Sequence, residues 1–300
     1  MAATSDDVTL IRPMRDDDLS AVERLTDAAY VDLDRRTFRA GWPEPTGRTP
    51  AQQEHWRARA AHLHRTDPGG CWVADDAGAI VGAAIAMRRD TMWLLSTLAV
   101  ALGRQGQGIG RRLLGAAASH GRNCTTAMLV SSEDPAAVRR YRLAGFDLHP
   151  TMLLWGRVGR DVLPIVEHVR EGSAGDIDLM NSVDRQTRGS AHGPDHELLC
   201  DRYPLVVVDR PNGSGYAYVN TGGGPYVLAA TSKRIATELA WETLAASDPD
   251  SPALIQDITP ANAWAIDVGM AARMGLHPRG YVAVRDRRPP APYLPSGMFL

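Results

Sequence analysis

The glycine-rich stretch Arg104–Arg111, with the sequence RQGQGIGR, constrains the fold of this chain more than any other segment. It follows the apolar run Met92–Val100, and it precedes Leu113, Leu114 and Ala117 at helical spacing. The order is therefore strand, glycine-rich turn and helix. Three glycines within five residues remove side chains where the backbone bends sharply and where a ligand can come close.

The start of the predicted helix has the features of an anion site. Its first N–H groups have no partner within the helix, and the helix dipole places positive charge at the same end. Arg104, Arg111 and Arg112 add formal positive charge nearby. The segment therefore predicts a binding site for a pyrophosphate.

Two common nucleotide-binding motifs do not fit this segment. No Lys-Ser or Lys-Thr pair follows the glycines, which excludes the phosphate loop of NTPases. The dinucleotide fingerprint requires Gly-x-Gly-x-x-Gly near the start of a βαβ unit. Here Gly106, Gly108 and Gly110 are spaced two apart, and a long segment precedes them.

A second motif follows after one more strand. Thr126–Val130 is apolar and predicts a buried strand, and Asp134 can cap the next helix, which has proline at its first position. Gly145 can end that helix in the left-handed conformation. The segment Asp134–Phe146 therefore predicts a short, capped helix that carries Tyr141.

Together the two motifs resemble those of the GNAT superfamily of N-acetyltransferases. The pattern Gln-x-x-Gly-x-Gly over residues 105–110 resembles the coenzyme-A loop of that family. The family also carries a segment Asn-x-x-Ala-x-x-x-Tyr-x-x-x-Gly-Phe, which Tyr141 and the pair Gly145-Phe146 match. This chain departs from the segment at its first position, where aspartate replaces asparagine. The resemblance covers residues 7 to 155.

The resemblance implies which residues hold acetyl-CoA, the donor substrate. The main chain of Leu98, Ala99 and Val100 would hold the pantetheine arm and the thioester carbonyl. The pyrophosphate would lie against the N–H groups of the loop: Gln105, Gly106, Gln107, Gly108, Ile109, Gly110 and Arg111. Tyr141 would protonate the departing thiolate, and a tyrosine is normally protonated at neutral pH. The structural alternative is a tyrosine that only fills a core position.

The group that would take the proton from the acceptor amine is not evident from the sequence. Many members of the family place a glutamate on the strand before the glycine loop, whereas this chain has Ser96 and Thr97 there. A chain of water molecules that ends on Glu133 or Asp90 is one alternative. The carboxylate of Leu300 is another, and the last residues can equally form a tail that only covers a surface.

The order of predicted elements recurs along the chain. The first half predicts βααβββαβαβ, beginning with an edge strand at Val8–Arg12. A similar order follows a linker at Gly159–Pro164, which predicts two tandem GNAT folds. The predicted domains are residues 1–158, which bind acetyl-CoA, and a degenerate domain at residues 165–300. The fold class is α/β, with a mixed, mostly antiparallel central sheet flanked by helices in each domain.

The second copy lacks the features that would support catalysis. The segment Ala229–Ala236 stands where the glycine loop is expected, and it contains no glycine. Aligning Gly275 with Gly145 places Met270 or Ala271 at the tyrosine position. We therefore expect the second domain to perform no acetyl transfer and to pack against the first.

Composition limits the partners of the chain. A formal net charge of -2 and a pI near 6.5 give no reason to expect nucleic acid or an anionic membrane. No apolar run approaches the roughly 20 residues of a membrane span, and the first residues show no signal-peptide pattern. Three cysteines, an odd number, agree with a reducing cytoplasm. A homodimer is compatible with the sequence.

One histidine pair has a spacing that could bind zinc. His192 and His196 are four residues apart, as in helical metal sites. Pro194 interrupts a helix between them, and no further ligand is close in sequence. We therefore predict no metal, and we place the pair on the surface or in the acceptor pocket.

The leading hypothesis is an acetyl-CoA-dependent N-acetyltransferase that acetylates the primary amine of a small molecule by direct attack. Two alternatives remain open. One is a non-catalytic acyl-CoA-binding or scaffold protein, which the missing glutamate favours and Tyr141 opposes. The other keeps catalysis with a longer acyl-CoA as donor or a peptide N-terminus as acceptor.

Overall fold

The structure is a computed structural model, and it describes residues 9–39 and 41–300. Val8, where the predicted first strand begins, lies outside this range. The observed first strand covers Leu10–Pro13. Among the described residues, no helix is both long and apolar enough to cross a bilayer.

The contacts of the chain divide it into two compact units, of which the first comprises residues up to Arg88 and Leu95–Cys124. The elements that lie wholly or mostly in this unit are β1 (Leu10–Pro13), α1 (Leu19–Arg36), α2 (Pro50–Thr66), β2 (Cys71–Asp76), β3 (Ala79–Arg89), β4 (Met92–Val100) and α3 (Ile109–Ala118). The strand order is β1-β2-β3-β4, and β2 pairs antiparallel with both β1 and β3. This part of the chain therefore has the predicted element order.

The second unit comprises Arg89–Leu94 and Thr125–Leu300. Its strands are β5 (Thr126–Ser131), β6 (Asp147–Gly156), β7 (Arg170–Glu171), β8 (Leu205–Arg210), β9 (Gly213–Val219), β10 (Pro225–Ala230), β11 (Ala253–Ile258), β12 (Gly275–Arg285) and β13 (Tyr293–Leu294). Its helices are α4 (Pro135–Leu143), α5 (Ile177–Thr187), α6 (Asp195–Cys200), α7 (Lys233–Ala245) and α8 (Trp264–Ala271). The α/β class with largely antiparallel sheets flanked by helices is confirmed.

β12 lies between β5 and β6, although it comes from near the end of the chain. Val282 is opposite Val130 on β5 and His149 on β6, and both pairings are antiparallel. β11 extends the same sheet on the other side of β6. Strands of the predicted second domain thus pair with strands that precede residue 158. The domain boundaries at residues 158 and 165 stay a prediction.

A second sheet, with the order β13-β10-β9-β8-β7, carries α7 on one face. Ile235 and Leu239 of α7 are fully buried in this apolar core. A Cβ atom at Gly215 on β9 would lie 2.9 Å from the side chains of both residues, so glycine allows the helix to approach the sheet. Burial of each such side chain contributes about 1.5–3 kcal/mol.

Candidate functional site

The C-terminal end of β4 leads directly into the predicted donor-binding loop. β4 ends at Val100, a short 3-10 helix covers Leu102–Arg104, and the loop then runs to the start of α3. The side-chain amide of Gln105 donates a hydrogen bond to the main-chain oxygen of Val100 at 3.2 Å. This bond ties the loop to the strand end Leu98–Val100, so these two predicted parts of the site lie together.

Two glycines give the loop its shape. Gly106 has a φ of 78° and Gly108 a φ of 80°, and Gly108 is the N-cap residue of α3. These left-handed values favour glycine, because a Cβ atom crowds the main chain in this conformation. A Cβ atom at either position would meet no other heavy atom within 4 Å, so that side of the loop is open. The loop therefore offers bare main chain to a ligand at the start of a helix.

The side chains of the loop are divided between the core and the surface. Ile109 and Gly110 are buried, and the exposed loop residues are Gln105, Gly106, Gln107, Gly108 and Arg111. Arg111 and Arg112 are exposed at the start of α3 and supply positive charge there. Arg104, in contrast, forms a salt bridge with Asp76. An anion at the helix start would therefore meet two of the three predicted arginines.

Tyr141 lies on α4, and both ends of this helix are formed as predicted. The side chain of Asp134 accepts two main-chain N–H bonds of 3.0 Å at the helix start. Gly145 ends the helix with a φ of 87°, and the N–H of Phe146 bonds back to the oxygen of Tyr141 at 3.1 Å. Tyr141 is 6% exposed, and its ring meets Phe146 edge-on at 6.4 Å. The helix thus holds the phenol in a fixed, largely buried position.

Comparison with known families supports the resemblance carried by these two motifs. A model of the acetyltransferase (GNAT) family matches residues 28–146, a range that includes β4, the glycine loop and Tyr141. The chain contains a GNAT acetyltransferase domain. It is therefore an acyltransferase of the N-acetyltransferase type, and acyl-CoA is the donor class that the domain implies.

Solved structures share the fold over nearly the whole chain. The chain is similar to a putative acetyltransferase from Pyrococcus horikoshii, with a TM-score of 0.71 and 17% identity over 93% of this chain and 90% of that one. A GCN5-related N-acetyltransferase from Kribbella flavida has a TM-score of 0.60 and 15% identity over 94% and 72% of the two chains. A third, from Sphaerobacter thermophilus, has a TM-score of 0.56 and 15% identity over 95% and 98%. No curated protein matches the sequence.

The helix α8 is the predicted counterpart of α4, and it has no tyrosine at the position that corresponds to Tyr141. The helix α8 ends as α4 does, because Arg273 has a φ of 65° and the N–H of Met274 bonds to the oxygen of Gly269 at 2.9 Å. In α4, the same bond ends on Tyr141. Gly269 therefore occupies the tyrosine position. The predicted alignment to Met270 or Ala271 is wrong, because it equated Gly275 with the left-handed residue.

The start of α7, which the predicted tandem arrangement aligns with the glycine loop, also differs from that loop. Ser232 caps α7 in an extended conformation, and its hydroxyl accepts from the N–H of Ile235 at 3.4 Å. The free edge of β10 is covered by β13, with Ala229 opposite Tyr293. The N–H of Ala230 donates to Pro292 at 3.3 Å. The main-chain groups just before α7 and in its first turn are thus already hydrogen-bonded to other residues of the chain.

Asp90, one of the candidate bases, is held in hydrogen bonds. Its carboxylate accepts from the N–H of Ala191 at 2.9 Å and from Nε of Arg185 at 3.1 Å. Burial alone raises the pKa of Asp90, but these two donors outweigh burial and hold the pKa below its usual value. A carboxylate with a lowered pKa is a weak base. Leu300, another candidate, is fully buried, and its main-chain oxygen accepts from Arg188.

A buried arginine next to Ser96 was not evident from the sequence. Arg59 of α2 is 5% exposed, and its Nη1 atom donates to the hydroxyl of Ser96 at 2.6 Å. Its guanidinium carbon lies 5.4 Å from the ring centroid of Trp56. Burial raises the pKa of Tyr30, and the charges of Arg59 and Arg48 offset part of that rise. The only signal in the sequence is the three-residue spacing of Trp56 and Arg59, which places them on one helix face.

His192 and His196 lie in a buried polar network. Of the two predicted places, the surface is therefore wrong, and the acceptor pocket stays a prediction. Oδ2 of Asp184 accepts from Nδ1 of His192 at 2.8 Å and from Nε2 of His196 at 3.1 Å, and Oδ1 accepts from Tyr216 at 2.6 Å. All four residues are fully buried. Their spacing in the sequence indicates nothing about Asp184, which α5 brings to them.

The network holds a charged carboxylate at Asp184 and a neutral imidazole at His192. Burial alone raises the pKa of Asp184, but the hydrogen bonds from His192 and His196 outweigh burial, and the pKa lies well below its usual value. The ligand atoms of the three residues lie within 4.8 Å of one another, a spacing that could admit a metal ion. Because every one of these atoms already has a hydrogen-bond partner, we interpret the cluster as a structural network.

We expect the free energy of unfolding to decrease as the pH falls from about 6.5 to about 4. Burial lowers the pKa of His192 from 6.5 to about 4. Between these values the unfolded chain binds a proton that the folded chain does not, so stability present above the unfolded pKa is lost as the pH falls. The total loss is about 3 kcal/mol.

Urea unfolding at a series of pH values measures this dependence. His192→Asn should flatten the decrease, and His168→Gln, at an exposed histidine, should leave it unchanged. The same pH dependence in His192→Asn and in the unmodified protein would contradict a neutral, buried His192.

Proposed function

We propose that the protein transfers an acetyl group from acetyl-CoA to the primary amine of a small molecule, with Tyr141 as general acid. The observation that carries the proposal is the geometry of the glycine loop. Gly106 and Gly108 are left-handed, exposed and open on the side where a Cβ atom would stand. Such a loop at a helix N-terminus suits the pyrophosphate of coenzyme A.

The proposed donor site uses the main chain more than side chains. The N–H groups from Gln105 to Arg111 would bind the pyrophosphate, and Arg111 adds positive charge beside it. The main chain of Leu98, Ala99 and Val100 would hold the pantetheine arm and orient the thioester carbonyl. Holding the donor and the acceptor in one orientation removes much of the entropic cost of a bimolecular reaction.

In the proposed reaction the neutral amine attacks the thioester carbonyl carbon. A C–N bond forms, the C–S bond breaks, and the amine nitrogen gives up a proton to solvent. Tyr141 donates its phenolic proton to the leaving thiolate and is reprotonated from solvent, so that the products are an amide and free coenzyme A.

The second copy supports a single donor site per chain. Its helix α7 begins at a serine cap instead of a glycine loop, and the free edge of the preceding strand pairs with Tyr293–Leu294. Gly269 stands where a tyrosine would act, and glycine has no proton to donate. We propose that the second copy has a structural role.

A non-catalytic acyl-CoA-binding protein is the second candidate. It is favoured by the hydroxyl of Ser96, which is bonded to Arg59 where many GNAT enzymes carry a glutamate. The two candidate functions differ in whether acetylated amine is formed. Incubation with acetyl-CoA and a panel of primary amines, with mass-spectrometric detection of acetylated amine, tests the enzyme. No acetylated product from any amine, despite bound acetyl-CoA, would favour the second candidate.

A further inference from the structure

Asp257, near the end of β11, is a buried carboxylate that lacks hydrogen bonds. The residue is fully buried, and neither carboxylate oxygen has a hydrogen-bond partner among the described residues. Its main chain adopts a left-handed φ of 57°, which is unfavourable for a residue with a Cβ atom. Buried polar groups are nearly always hydrogen-bonded, so an unsatisfied carboxylate requires a physical explanation.

The strands around Asp257 depart from regular pairing at the same level of the sheet. The pairing of β11 with β6 shifts between Ile255 and Ile258, and that of β12 with β6 shifts between Pro278 and Gly280. Asp257 lies in the first irregularity, and Arg279 lies in the second. β-bulges of this kind re-aim side chains and often occur next to functional sites.

Arg279 is the cation nearest to the carboxylate, but it does not satisfy it. Nε of Arg279 lies 3.5 Å from Oδ1 of Asp257, which is an ion-pair distance and too long for a good hydrogen bond. The Arg279 side chain is 42% exposed, whereas that of Asp257 is 0% exposed. Because β6 lies between β11 and β12, the arginine reaches over β6 to cover the aspartate. The half-exposed guanidinium of Arg279 therefore lies beside the buried carboxylate without satisfying it.

A second unsatisfied polar group lies at the same level of β6. The hydroxyl of Thr151 is buried and has no hydrogen-bond partner among the described residues. Thr151 is opposite Gly280 on β12, and the adjacent Met152 is opposite Ile258 on β11. The two unsatisfied groups therefore lie on neighbouring strands, next to the same pair of bulges.

Burial of these groups without partners lowers the stability of the chain. Burial raises the pKa of Asp257, and Arg279 offsets only part of this rise. An unpaired buried charge is strongly unfavourable, and a buried polar group without a hydrogen bond also destabilises the folded chain. A ligand that donates several hydrogen bonds and carries positive charge would remove both penalties.

We propose that Asp257 and Thr151 form a binding site for an organic ammonium group, which Arg279 covers in the absence of ligand. An ammonium has three N–H donors and one positive charge, which complement a carboxylate and a hydroxyl. A divalent metal ion fits less well, because Ca²⁺ and Mg²⁺ need six or more oxygen ligands, and two side chains supply few of them. The site is independent of the glycine loop, and its existence does not depend on acetyl transfer.

Propylammonium chloride is a suitable probe for this site, because it carries the proposed group and little else. We expect a saturable rise of the unfolding temperature with propylammonium, and none with 1-propanol or KCl at the same concentrations. Asp257→Asn, which keeps the shape and removes the charge, should abolish the saturable rise. Thr151→Val should weaken the affinity, because one acceptor is lost.

Arg279→Ala provides the decisive variant, because a half-exposed side chain can be truncated without disturbing the core. Removal of the competing cation should tighten propylammonium binding by about tenfold. Arg273→Ala, at an exposed arginine paired with Asp161, is the matched control and should leave binding unchanged. The proposal is overturned if Arg279→Ala binds no more tightly than the unmodified protein, or if a folded Asp257→Asn variant binds equally well.

Discussion

Gly108→Val should raise the dissociation constant of coenzyme A by about a hundredfold or more. Gly108 has a φ of 80°, and a β-branched residue in this conformation is strained by at least 1–2 kcal/mol. The added side chain would also stand on the open side of the loop, where the pyrophosphate is proposed to bind. A hundredfold loss corresponds to about 2.7 kcal/mol of binding free energy. Isothermal titration calorimetry with coenzyme A measures it.

Gly115→Ala is the matched control for this variant. Gly115 lies on the exposed face of α3, and a Cβ atom there would also meet nothing within 4 Å. Its helical conformation accepts alanine, so the helix should be slightly stabilised and coenzyme-A binding should be unchanged. Equal affinity of Gly108→Val and Gly115→Ala for coenzyme A would remove the glycine loop from the donor site.

Tyr141→Phe should lower kcat by about 10²–10⁴-fold and leave the affinity for acetyl-CoA nearly unchanged. The phenol acts on the leaving thiolate in the transition state, so its loss does not affect the bound ground state. The phenyl ring keeps its packing against Phe146, so the variant should fold like the unmodified protein. Steady-state kinetics with an amine identified as acceptor, together with calorimetry, separates the two effects.

Tyr203→Phe serves as the control for removal of a tyrosine hydroxyl elsewhere. Tyr203 stacks on Tyr226 with a centroid distance of 4.2 Å, and its ring contact is kept in phenylalanine. This variant should keep the turnover of the unmodified protein. If Tyr141→Phe also keeps full turnover, Tyr141 is a core residue, and the leaving thiolate needs no acid from it.

Local features of the fold could be predicted from the sequence because their causes are local. The left-handed Gly108 and Gly145, and the aspartate cap at Asp134, each follow from the conformational range or hydrogen bonding of one residue. The glycine loop of the candidate site was found for the same reason.

Features that depend on distant parts of the chain could not be predicted. The position of β12 between β5 and β6 is set by pairing across more than a hundred residues. The sequence of an apolar strand does not indicate which other strand it pairs with. The burial of His192 depends on Asp184 from another element. The sequence does not distinguish Asp257 from other acidic residues, because its burial without hydrogen-bond partners is evident only in the folded structure.

Free-thiol release from acetyl-CoA is the measurement that tests the central claim most directly. The rate is compared with and without each member of a panel of primary amines, for the unmodified protein and for Gly108→Val. We predict thiol release that depends on at least one amine, matches the amount of acetylated product, and is lost in Gly108→Val. Amine-dependent release that persists at the full rate in Gly108→Val, or no release with any amine although coenzyme A binds, would contradict the account.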